Sequence, residues 1–218
     1  MRDIFTAELR AIGEDLVVMS GLVEQAIMSA GTALLTSDLG LAESVIADDH
    51  TIDARERNLD ERCVLLIAQQ QPVAGDLRIL VSALRMSSSL ERMGDLARHI
   101  AAVARLRYPA RAVPEGMVET FTEMHQGAVR LSQEVTSVLR SHDLALAEEI
   151  ERDDDLLDRL HAETFGATLG GTQQLTAQEI VDVTLLARYS ERFGDHGVSV
   201  AQRVVYLVTG DVAEDRGA

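Results

Sequence analysis

Apolar residues recur at steps of three and four along almost the whole chain. Between Asp3 and Leu35 they are Phe5, Leu9, Ile12, Leu16, Met19, Val23, Ile27, Ala30 and Leu34, one face of a helix. Thr36-Ser37-Asp38 interrupts this stripe, and Ser37 or Asp38 is placed to cap a second helix. That helix runs to about Gln71, where Pro72 disfavours helix in the residue before it. A third helix spans about Gly75 to Tyr108, followed by RYPARAVPEG with Pro109 and Pro114, the clearest linker. A fourth covers about Glu115 to Ser141. A fifth starts at His142-Asp143 and ends before Gly170-Gly171. The sixth starts near Thr176, where TAQE reads as a capping box, and fades near Gly210. No alternating pattern suggests a strand, so the predicted class is all-α with six helices.

The six helices form an internal repeat. Asp38 to Asp53 reads DLGLAESVIADDHTID and Asp143 to Asp158 reads DLALAEEIERDDDLLD, identical at eight of sixteen positions at an offset of 105. LERMGD at Leu90–Asp95 mirrors SERFGD at Ser190–Asp195 at an offset of 100. The first and fourth helices share only their apolar spacing. The pattern predicts a tandem duplication of two three-helix bundles, residues 1–110 and 111–218, with antiparallel neighbours favoured by short connections.

Composition narrows the function. Hydrophobic residues are 46% of the 218 and charged residues 26%, ordinary for a globular chain. With 36 acidic and 20 basic residues, every basic one Arg, the formal net charge is −16. The all-Arg usage is read as genomic bias. Nucleic-acid binding needs basic surface, so nucleic acid is excluded as a ligand, and an anionic membrane is a poor partner. Cations and basic protein surfaces are the natural attractions. Cys63 is single and reads as a buried small hydrophobe. The N-terminal residues lack the apolar run of a signal peptide, and no stretch approaches eighteen uncharged apolar residues, so no membrane span and a cytoplasmic location are expected.

The informative feature is the placement of the acids. On a helical wheel Glu91 and Asp95 share a face with Leu77, Leu80, Leu84 and Ala102, and Glu191 and Asp195 with Ile180, Thr184, Val198 and Val205. Asp49 and Asp53 fall on the stripe of Val45, Cys63 and Ile67, with Glu56 and Asp60 beside them. Asp154 and Asp158 fall in line with Ile150 and Phe165. Each unit thus carries two [ED]xxx[DE] pairs, whose carboxylates stand about 5–6 Å apart and repel. Beside an apolar face that repulsion needs compensation. Arg92 and Arg192 project about 100° away and are read as poorly placed to supply it. Metal ions answer the whole arrangement; iron, manganese, magnesium or calcium suit oxygen donors, zinc less so. A structural network of arginines and carboxylates between helices is the remaining reading. His99, four residues after Asp95, and His161, three after Asp158, are weaker candidate ligands, with Glu56. His50, His125, His142 and His196 are expected at the surface.

At these residues the sequence resembles the PhoU family. The matching segments are VEQAI at Val23–Ile27, the Asp-rich second helix, QQPVAGDLRIL at Gln70–Leu80, ERMGDLARHIA at Glu91–Ala101 and ERFGDHGVSVA at Glu191–Ala201. The resemblance implies two pseudosymmetric three-helix bundles. It implies multinuclear metal clusters, iron among them, on Asp49, Asp53, Glu91, Asp95, Asp154, Asp158, Glu191 and Asp195. It also implies a homodimer that couples the phosphate ABC transporter, through its ATPase, to a phosphate-sensing histidine kinase and represses the phosphate-starvation response, without enzymatic chemistry. The second half departs from the pattern in lacking the DLR element, having Ala177-Gln178-Glu179. His99 and Ser199 also differ from the small polar residue expected there, so the second cluster is expected to differ in occupancy or nuclearity. The rival readings are a metal-storage protein, a di-iron carboxylate oxidoreductase and a histidine phosphotransfer domain. Ferritin-type sites use ExxH on two helices, whereas this chain has a single DxxH.

Overall fold

The computed structural model describes residues 2–170 and 174–210. Six α-helices follow in chain order: α1 (Arg2–Thr36), α2 (Leu39–Gln70), α3 (Gly75–Arg107), α4 (Val118–Ser141), α5 (Ala145–Leu169) and α6 (Ala177–Thr209). A 3₁₀ turn at Glu115–Met117 precedes α4 where a continuous helix was expected. Each end has a local cause. Asp38 caps α2, accepting from the Leu41 N–H at 2.9 Å. Gln71 closes α2 in the left-handed region just before Pro72. His142 closes α4 in the same conformation, and Asp143 then accepts from the Ala145 N–H at 3.0 Å, so α5 starts later than His142-Asp143. The Thr176–Glu179 capping box is formed.

α1, α2 and α3 pack on one another, as do α4, α5 and α6. The halves meet through α1 with α4 and α3 with α6, while α2 and α5 contact only helices of their own half. The core therefore runs through the centre of the molecule, with α2 and α5 as outer covers. The stripe of α1 is buried from Ile12 through Leu34, and Cys63 is buried as expected. By length and composition alone, with charged residues tolerated, α1 is long and apolar enough to cross a membrane, with a mean hydropathy of 1.3 in its best window. Here that apolar face is spent on α2, α3 and α4, as in the core helix of a bundle.

The junction between halves is specific. Arg107 on α3 donates through Nε and Nη2 to Asp182 on α6 at 2.6 and 3.0 Å, and Gln178 adds a third bond at 3.1 Å. His99 stacks on Tyr189 with centroids 5.2 Å apart. His125, expected at the surface, is half-buried at the α1–α4 crossing. A Cβ at Gly31 would collide with its ring, and burial lowers its pKa. The missing side chain at Gly31 makes the room that draws this histidine inward. His50 and His142 are exposed, and His196 is half-buried with its pKa lowered mainly by burial.

Candidate functional site

The acids line two seams, between α2 and α3 in the first half and between α5 and α6 in the second. They stand at the margin of the core rather than within its stripe. Of the predicted companions of Glu91 and Asp95, Leu80 is buried, Leu84 and Ala102 are half-buried and Leu77 is exposed. Phe165, expected in line with Asp154 and Asp158, is exposed too. The reason is that α3 packs against α1, α2 and α6. Its buried arc is broader than a single stripe and the acids fall at its edge.

In the first half the seam is crossed by arginine. Arg98 forms an ion pair through Nε with Asp49 of α2 and donates from Nη2 to Asp95 of α3, both at 2.7 Å. Arg92 reaches Asp95 at 3.2 Å and Glu91 at 3.5 Å. This corrects the wheel-based expectation: a long flexible side chain folds back along its own helix despite the 100° offset of its Cα. Burial raises the pKa of Asp49, and Arg98 works against that while Asp53 and Asp95 add to it. Glu91 is raised by burial, opposed by Arg92, with Asp95, Asp53 and Glu56 adding. Glu56 is raised by burial and then by Asp60. His99, committed to Tyr189, lies 3.4 Å from Arg98 Nη2.

The second seam lacks the bridging arginine. In the register of the repeat, Val198 stands where the first half has Arg98. Arg188 pairs with Glu191 through Oε1. The Oδ1 of Asp154 and the Oε2 of Glu191 are buried with no hydrogen-bond partner. Asp154 is pushed up to about 7 by burial first, then by Asp158, Asp195, Asp155 and Glu191, with no cation among its causes. Asp158 and Glu191 are raised mainly by burial as well. His161 lies against the Phe165 ring at 5.0 Å; its pKa is lowered by burial and by Arg188, while Asp158 opposes. Among the described residues no group of three or more His, Cys, Asp or Glu side chains converges closely enough to hold a metal ion as it stands. Mutual repulsion favours such splayed carboxylates. The donor set of the second seam nevertheless fits a hard cation, because it offers buried oxygens that nothing else satisfies. The first seam does not fit in the same way, since Arg98 already occupies Asp49 Oδ2 and Asp95 Oδ1 and Arg92 occupies Asp95 Oδ2.

Sequence reasoning overlooked two groups. Arg98 was legible as an i,i+3 partner of Asp95 and as the one basic residue that SERFGDHGV lacks at that register. Glu134 on α4 faces α5, and burial, then Asp153 and Glu149, raise it to about 7 against Arg130 and Arg152. The stripe pattern carried no signal for it.

Two bundles of three helices, duplicated in sequence and presenting carboxylates along paired helices, define an all-α tandem three-helix bundle. The chain belongs to the PhoU family: the PhoU domain matches twice, at residues 16–104 and 121–204. It is 42% identical over 210 residues to the phosphate-specific transport system accessory protein PhoU homolog 2 of Mycobacterium tuberculosis, covering 96% of this chain and 99% of that protein. It is 41% identical over 215 residues to PhoU homolog 1 of Mycobacterium leprae, covering 99% and 97%. The crystal structure of PhoU from Pseudomonas aeruginosa matches with a TM-score of 0.85 at 32% identity, covering 95% of this chain and all of that one. Fold class and family resemblance read from the sequence both hold.

Proposed function

We propose that this chain is a non-enzymatic accessory regulator of phosphate uptake, acting in the cytoplasm as a homodimer between the ATPase of a phosphate ABC transporter and a phosphate-sensing histidine kinase. The observation that carries this reading is the near end-to-end similarity to proteins named as phosphate-specific transport system accessory proteins. The net charge of −16 supports a basic or amphipathic partner surface. Such association is steered electrostatically and weakens with salt, as the Debye length falls from about 10 Å at 0.1 M to about 3 Å at 1 M.

Asp154, Asp158, Glu191 and Asp195 would hold a cation on the α5–α6 seam, iron being the metal the family resemblance implies. The bound cation supplies positive charge that relieves carboxylate repulsion and ties the two helices together. The chain's own residues do the rest: Arg188 holds Glu191 from one side, and Gly194 leaves space for the Asp154 carboxylate.

The regulatory reading is tested in a deletion strain cleared of paralogues and grown in abundant phosphate with a reporter of the starvation response. The reporter is expected to switch on and to be silenced again by the wild-type chain. A reporter that stays off overturns it.

A further inference from the structure

We propose that the two acidic seams are not equivalent: Arg98 serves the first as a built-in counter-ion, so cations load the second seam and one residue decides the difference. The proposal rests on the metal-binding part of the reading above and extends it to the chain's own asymmetry.

The repeat supplies an internal comparison. Asp49, Asp53, Glu91 and Asp95 correspond to Asp154, Asp158, Glu191 and Asp195, and the backbone carries both sets on equivalent helix pairs. In the first seam four carboxylates meet two guanidiniums, and Arg98 spans the seam to join α2 and α3. In the second seam the ion pair is Arg188 with Glu191, both on α6; Arg192 acts on Glu191, and Arg188 on Asp158, only at longer range. No ion pair crosses from α5 to α6 among these residues, because Val198 has no charge to offer. What the second seam has instead is a pair of buried oxygens, Asp154 Oδ1 and Glu191 Oε2, without partners.

A guanidinium does not deprotonate in proteins, so Arg98 cannot yield its place by losing charge. A cation that takes Asp49 Oδ2 and Asp95 Oδ1 must displace both contacts of Arg98. The Asp49 side chain is only 11% exposed and that of Arg98 32%, so the contact is screened less than one on the open surface. Nothing of this kind opposes a cation at Asp154. The two seams thus offset their carboxylates by different means, the first in part through a permanent arginine, the second through a supplied ion.

The experiment uses the full chain stripped with chelator and titrated with Mn²⁺ alone, with bound metal counted by elemental analysis and free Mn²⁺ by electron paramagnetic resonance. Circular dichroism checks the fold of each variant. Wild type is expected to bind through Asp154 and Glu191. Asp154→Asn with Glu191→Gln is expected to lose tight binding, whereas Asp49→Asn with Glu91→Gln leaves the stoichiometry unchanged. Arg98→Val, which copies the second seam onto the first, is expected to raise the stoichiometry about twofold. Val198→Arg is expected to abolish tight binding. Arg98→Gln supplies the same reading should Arg98→Val fold poorly. Equal loss from both acid pairs, with Arg98→Val and Arg98→Gln binding as wild type does, overturns the asymmetry and leaves metal binding standing. Absence of binding in wild type and in both Arg98 variants overturns the metal reading and the asymmetry with it.

Discussion

Gly94 and Gly194 occupy the same position of the repeat and face different neighbours. A Cβ at Gly94 would lie 2.8 Å from Ile52 Cδ1, the far end of a flexible side chain. A Cβ at Gly194 would collide with the Asp154 carboxylate, on a short stem with little freedom to retreat. Alanine gains about 1 kcal/mol of helix propensity over glycine, against about 1–3 kcal/mol for overpacking. Gly94→Ala is therefore expected to change stability little and Gly194→Ala to lower it, read as urea midpoints. Glu134 gives the pH prediction. Its carboxyl is raised to about 7 in the folded protein against an ordinary 4.5. Between those values the folded state binds the extra proton, so this group's contribution to stability declines as pH rises from about 4.5 to about 7. Glu134→Gln is expected to stabilise at pH 8 by about 1 kcal/mol, discounted for a half-exposed site, and by less at pH 5. Equal effects at both pH values in thermal melts contradict this.

At the scale of elements, capping chemistry sets the boundaries. Thr176 and Glu179 exchange hydrogen bonds at the start of α6, with the Glu179 N–H donating to Thr176 Oγ1 at 3.2 Å and the Thr176 N–H to Glu179 Oε2 at 2.7 Å. Thr176→Ala is expected to cost about 1 kcal/mol, with faster amide exchange confined to the first turn of α6. These ends were readable because a cap depends on neighbours three residues apart in the chain. Asp38 and the TAQE box were recognised for that reason. The late start of α5 was not, since it follows from the left-handed turn at His142 and the side-chain turn that Asp143 makes with the Ala145 N–H after it.

At the scale of the whole molecule, α3 and α6 are locked by Arg107 and Asp182, and the repeat has Leu207 and Ser82 at the corresponding positions. Arg107→Leu leaves the buried Asp182 carboxylate with Gln178, so it is expected to destabilise more than Arg107→Leu combined with Asp182→Ser. The reverse order in urea denaturation contradicts that account. Cation removal also acts here. A ligand at 100 times its dissociation constant stabilises by about 2.7 kcal/mol. Chelator is therefore expected to lower the melting temperature of metal-loaded wild type and to leave Asp154→Asn/Glu191→Gln unmoved.

The sequence by itself determined the six helices, their duplication and the family, because amphipathic periodicity, caps and repeated motifs are local along the chain. Cys63 was legible as core for the same reason. Tertiary structure alone decided which side chains compensate the acids. Arg98 reaches Asp49 across 49 positions of sequence, and no wheel of a single helix contains both. It also decided that His125 turns inward, since the space it fills is made by Gly31 on another helix. Charge balance and packing at such places are sums over neighbours brought together by folding, and the chain order carries them only as separate residues.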